Sequence, residues 1–154
     1  MAAGRTLCLD VGERRIGVAV SDPSGRLATP LTIVERRAAE RDFRRIADLV
    51  RDEGAERVVV GLPRTLAGAI GPQARRIQRW ADRLAPYLVV PLVFADERYS
   101  TAEASRRLAG AGHAASAEKA AERRRNRPGR AGASASLDAA AAAVILQDYL
   151  DETA

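Results

Sequence analysis

Three carboxylates fall where a metal site on a sheet would need them. Asp10 closes an apolar run at residues 6–9, Glu97 follows another at residues 88–95, and Asp138 opens the last apolar helix pattern. In open α/β sheets, ligands gather beyond the carboxyl ends of the parallel strands, where Asp10 and Glu97 are expected. With one strand between them, their backbones would stand about 10 Å apart, a gap that two carboxylate side chains can close around a cation. Asp138 supplies a third ligand if its helix packs beside the first strand. Three carboxylates at one point repel unless a cation neutralises them, and Mg2+ or Mn2+ prefers such hard oxygen donors. Two such ions about 3.5–4 Å apart can clamp the attacking water and the leaving oxygen of a phosphodiester. Taken singly, each residue has an ordinary role: Asp10 as a turn former, Glu97 as the ion partner of Arg98, Asp138 as a charge complementing a helix dipole. Their joint placement is what argues for chemistry.

What the chain lacks narrows the choice further. His113 is the only histidine and Cys8 the only cysteine. Histidine metal clusters, cysteine zinc sites and internal disulfides are thereby excluded, and any Ser/His or Cys/His triad would have to rest on His113 alone. Acid–base and metal chemistry must run on carboxylates. Aromatic residues make up 4% of the chain, too few for a base-stacking platform.

The elements that must position these groups can be read from periodicity and punctuation. The first strand, at 6–9, and a second, at 15–21, flank Gly12 as a hairpin, and a third follows at 27–34, with Pro30 marking an edge. Residues 38–53 show helical spacing stopped by Gly54, and 57–62 read as a central buried strand. A helix opens at Pro72 and closes at Pro86, and 88–95 form the last strand. A capping box from Ser100 to Glu103 opens a further helix, and 137–150 form the final one. Strand–helix–strand order implies parallel, right-handed crossovers. The expected architecture is α/β: a mixed five-stranded sheet with one antiparallel strand, flanked by helices, in one domain spanning 1–154. The high alanine content implies helices packed closely on the strands.

The net charge is +5, and 24 of the 25 basic residues are arginine, Lys119 being the exception. Arginine suits bidentate phosphate contacts, although GC-rich codon usage inflates arginine and alanine together. Residues 110–136 read as a mobile basic loop carrying Arg123, Arg124, Arg125, Arg127 and Arg130. With Arg14 and Arg15 in the hairpin and Arg98 beside Glu97, these are the candidate phosphate contacts. No run of about eighteen apolar residues occurs, and residues 1–5 lack a signal-peptide hydrophobic region. No membrane contact and a cytoplasmic location are expected.

Several blocks resemble the YqgF/RuvX family in order. They begin with Leu7-Cys8-Leu9-Asp10-Val11-Gly12 and Arg15-Ile16-Gly17-Val18-Ala19-Val20-Ser21-Asp22. Ala28-Thr29-Pro30-Leu31, Val59-Val60-Gly61-Leu62-Pro63 and Gly71-Pro72-Gln73-Ala74 follow. Asp96-Glu97-Arg98-Tyr99-Ser100-Thr101 and a last stretch from Asp138 to Leu150 complete the set. The resemblance implies a ribonuclease H-like fold with catalytic, metal-holding carboxylates at Asp10, Glu97 and Asp138. It also implies a nuclease that matures the 5′ end of pre-16S ribosomal RNA, or else a resolvase of Holliday junctions.

Other readings remain open at this point. A junction resolvase would need a symmetric dimer to cut paired strands; a monomer is expected here. A sugar-kinase or actin-like ATPase also opens with a strand, Asp-x-Gly and a hairpin. It needs two such domains, however, and no Walker phosphate loop is present. A non-catalytic RNA-binding assembly factor would use the basic loop and leave the carboxylates idle.

Overall fold

The structure, a computed structural model, describes residues 4–64, 68–97 and 133–154; the side chains of 97 and 133–136 lie outside the description. Five strands form one sheet in the order β3-β2-β1-β4-β5. They are β1 (Arg5–Val11), β2 (Arg15–Ser21), β3 (Ala28–Glu35), β4 (Ala55–Pro63) and β5 (Leu92–Glu97). β2 runs antiparallel to both β1 and β3, whereas β1–β4 and β4–β5 are parallel. One strand therefore runs against four. β3 is the edge that Pro30 foretold, and the β2–β3 register shifts just before the Ala19–Pro30 pair.

Side chains alternate across a strand, so the sheet has two unlike faces. One presents Leu7, Leu9, Ile16, Val18, Val58 and Val60 to helices α1 (Ala39–Glu53) and α2 (Pro72–Leu84). In α1, Phe43, Ile46, Leu49 and Val50 make a stripe at helical spacing, and Gly54 ends the helix with φ 63°. That left-handed conformation suits glycine at a helix stop. Asp42, buried to 4% exposure, accepts the backbone N–H of Arg37 at 3.3 Å on both carboxylate oxygens. In α2, Pro72 opens the helix, and Ala74, Ile77, Trp80, Ala81 and Leu84 face inward. Phe43 meets Trp80 edge-on with ring centroids 5.6 Å apart.

The opposite face presents the small residues Cys8, Ala19 and Val59 to a single helix, α3 (Ala133–Thr153), through Ala142, Ile145, Leu146 and Leu150. Short side chains let the helix lie close to the sheet. Gln147 then ties its second half to the start of β3. The amide oxygen accepts the Ala28 N–H at 3.0 Å, and the amide nitrogen donates to the Arg26 carbonyl at 2.8 Å.

Two boundaries differ from expectation. The last strand starts at Leu92, not at residue 88, because Ala85–Tyr87 forms a 3-10 turn and Val89 projects into solvent at 99% exposure. The prolines at 86 and 91 break the apolar run between them. The final helix begins at Ala133 and continues to Thr153. The basic loop expected to reach residue 136 thus ends sooner, its last four positions forming the helix's first turn, where alanine favours helix. The rest of that loop and the helix expected from Ser100 lie outside the described residues. Among the described residues, no helix is long and apolar enough to cross a membrane.

Candidate functional site

β1 ends at the carboxyl edge of the sheet, and Asp10 stands there, half-buried and paired across the ladder with Gly17 of β2. Asp10 shares the sheet face of Cys8, which is the face covered by α3. Gly17 decides how close that helix can come. A Cβ there would overlap the backbone carbonyl of Asp138 and lie 3.2 Å from the Ala139 nitrogen. Any larger residue would push the helix off the strand. The missing side chain therefore brings the start of α3 against the position opposite Asp10, within one strand spacing of roughly 5 Å.

Asp138 sits half-buried beyond this contact, and the Arg15 guanidinium approaches its carboxylate at 3.9 Å. Both groups are more than a third exposed, so the pair adds little stability; it orients. Arg14 is exposed at the hairpin tip, and its carbonyl accepts the Arg36 N–H at 2.8 Å. Arg36 also donates a side-chain hydrogen bond to the Gly12 carbonyl at 2.8 Å. Arg36 thus holds the turn that follows Asp10.

Glu97 is the last residue of β5, paired with Pro63 of β4. It stands two residues beyond Ala95, which packs on the α3 side, so its register position has the same parity as Asp10. Two strand spacings and two residues of rise put the two backbones about 12 Å apart. The side chain of Glu97 lies outside the described residues, as do Arg98, Arg123, Arg124, Arg125, Arg127 and Arg130. Asp96 falls on the other parity and accepts from Arg64 at 2.9 Å, in keeping with a structural role.

The structure thus brings the backbones of Asp10 and Asp138 together and leaves Glu97 two strands away on the same side. Among the described residues, which do not include the Glu97 side chain, no three His, Cys, Asp or Glu side chains converge as a metal site. Carboxylate oxygens at Asp10 and Asp138, with a guanidinium drawn to one of them, match the hard-donor, cation-seeking character of a Mg2+ or Mn2+ site. Sequence reasoning passed over Gly17 and Arg36. Gly17 did carry a signal, a glycine between Ile16 and Val18 in a strand, which marks a close approach. Arg36 carried none.

A protein-family model described as "RuvX: Holliday junction resolvase" matches residues 4–152. The chain belongs to the RuvX family. Within it, a protein of Roseiflexus sp. (strain RS-1) named "Putative pre-16S rRNA nuclease" is 43% identical over 148 residues, covering 96% of this chain and 94% of that one. A protein of the same name from Mycobacterium ulcerans (strain Agy99) is 44% identical over 150 residues, covering 97% and 79%. Among solved structures, Thermus thermophilus RuvC in complex with a Holliday junction substrate superposes with a TM-score of 0.54 at 15% identity, covering 97% of this RuvX chain and 95% of that one. A second Thermus thermophilus RuvC structure gives 0.51 at 18% identity. At such low identity this is a likeness of fold, and it agrees with the ribonuclease H-like sheet expected from the sequence.

Proposed function

We propose that this chain is a divalent-metal-dependent nuclease, a single domain over 1–154, that processes the 5′ end of pre-16S ribosomal RNA in the cytoplasm. Asp10, Glu97 and Asp138 are its metal-holding, catalytic carboxylates. The observation that carries the reading is the seating of Asp138 on Gly17, the ladder partner of Asp10. A strand residue and a helix residue far apart in sequence share one edge of the sheet. The names of the curated relatives support the substrate.

Each residue's part follows from its position. Asp10, fixed by the β1–β2 ladder, and Asp138, fixed by the Gly17 contact, hold carboxylate oxygens in a set geometry. Glu97 ends β5 at the same edge of the sheet. Bound Mg2+ or Mn2+ would supply charge neutralisation and Lewis acidity at the scissile phosphate. Arg15, held by its ion pair with Asp138, and Arg14 at the hairpin tip would meet the phosphates flanking the cut. Arg98, Arg123, Arg124, Arg125, Arg127 and Arg130 belong to the same proposed phosphate-binding set.

The test is cleavage of precursor RNA by the purified chain with and without Mg2+. Wild type should cut only with metal, and Asp10→Ala should lose activity about a thousandfold or more while keeping its fold by circular dichroism. Equal binding by both proteins with no cutting by either would favour an RNA-binding assembly factor instead. The family description points to a second substrate, the Holliday junction. Preferential cutting of four-way DNA, by a species sedimenting as a dimer, would move the assignment there.

A further inference from the structure

We propose that the outer face of α2 is a second contact surface for nucleic-acid phosphates, formed by Arg75, Arg76, Arg79 and Arg83; it takes its substrate class from the nuclease reading above. A turn of 3.6 residues puts these four within an arc of about 100°, opposite the buried stripe of Ala74, Ile77 and Leu84. All four are exposed. No ion pair engages any of them among the described residues, and Arg83 only stacks over the Phe43 ring at 5.8 Å. The neighbouring helix is different. In α1, four arginines stand among five acids, and Arg44 pairs with Glu40 at 2.7 Å and Arg51 with Asp48 at 3.2 Å, so that helix has no positive surplus. α2 carries four arginines against one acid, Asp82.

The chemistry of that face selects its partner. Its other exposed residues are Pro72, Gln73 and Asp82. A protein interface needs a buried aromatic or aliphatic anchor, and this face offers none. A row of guanidinium groups with no apolar anchor fits a polyanion whose charges repeat along a backbone.

Its placement links it to the site. β4 ends at the carboxyl edge, and Arg64 folds the following chain back by bonding the Gly68 carbonyl at 3.0 Å and Asp96 at 2.9 Å. α2 starts from that edge, and the arginines run roughly 12 Å down the sheet face opposite α3. A nucleic acid that extends past the cut and over the edge would meet them. They would hold substrate without touching the reacting phosphate.

The test compares the full chain with the triple variant R75Q/R76Q/R79Q and the control R44Q/R51Q. Fluorescence anisotropy in EDTA would use a labelled RNA duplex, a DNA duplex of equal length and a polyglutamate peptide, across a salt series. Precursor-RNA cleavage in Mg2+ would be run alongside, and melting curves would confirm that both variants fold. Loss of three phosphate contacts should flatten the slope of log affinity against log salt by about 2.7 for a duplex. Between 50 and 200 mM salt, wild-type affinity should therefore fall roughly 40-fold more than that of the triple variant. The control should match wild type. The duplex that shows the change identifies RNA or DNA as the source of the phosphates, and a change with both identifies the shared backbone. An unchanged slope, an equal effect from the control, or polyglutamate binding through these arginines with neither duplex bound would overturn the proposal. A flattened slope with no cleavage by wild type would support the α2 surface and sink the nuclease reading. Normal cleavage with an unchanged slope would do the reverse.

Discussion

The two faces of the sheet are built from different materials. Beneath α1 and α2 lie large aliphatic side chains, with Phe43 and Trp80 closing over them. Beneath α3 lie Cys8, Gly17, Ala19 and Val59, and the helix meets them with Ala142 and then with Ile145, Leu146 and Leu150 farther along. The first face buries more, and larger, apolar side chains and so supplies most of the stability. The second gives up area for a short helix–sheet distance, and that distance seats Asp138 beside the ladder partner of Asp10. Bulk holds the fold together; closeness brings Asp138 to the strand that pairs with Asp10.

That contrast can be broken from either side. The largest stability loss is expected from Ile46→Ala, since Ile46 is fully buried on the inner face of α1. It should cost about 2–5 kcal/mol, read from the urea midpoint, with cleavage per folded molecule unchanged. Gly17→Ala should cost less, about 1–3 kcal/mol of overpacking. It should nevertheless reduce cleavage about a hundredfold, because small displacements of positioned groups are expensive in rate. If Gly17→Ala cut normally, closeness on the α3 face would not be what aligns the site. Gln147→Ala removes both hydrogen bonds to the start of β3. A loss of about 1 kcal/mol, with cleavage reduced less than by Gly17→Ala, would separate the anchoring end of α3 from its working end.

The smallest effect concerns charge on the same helix. Burial, then Glu152 and Asp151, push the Asp148 carboxyl above its ordinary value of 3.8. A raised carboxyl favours the folded state below that ordinary value, and the benefit is lost as pH rises through the raised one. Near neutral pH the charged form is therefore a burden. Asp148→Asn should raise the melting temperature slightly at pH 7, and the gain should fade as pH falls toward 3.8. An equal gain at every pH would trace the effect to packing.

Much of this was legible in the sequence because the signals were local. Gly54 and Pro72 punctuate helices whose apolar stripes recur at the right spacing, and Val58, Val59 and Val60 could hardly be anything but a central strand. Asp10 showed as a carboxylate at a strand end. The start of β5 was misread because Leu88, Val89 and Val90 look like strand residues, while the flanking prolines set a different path. The start of α3 was hidden in an alanine- and serine-rich stretch without periodicity. The seating of Asp138 on Gly17, its ion pair with Arg15 and the grip of Gln147 on β3 join distant parts of the chain. No window of sequence contains both partners of any of them.

The order of elements along the chain has one more consequence. α3 follows every strand, so Asp138 emerges from the ribosome only after the rest of the sheet has been made. Until then Gly17 is an open notch, and the proposed carboxylate set is short by one. On the proposed assignment, a nuclease assembled this way would lack a metal-holding carboxylate on the machine that translates it, where ribosomal RNA lies all around, and would gain it only once its last helix docks.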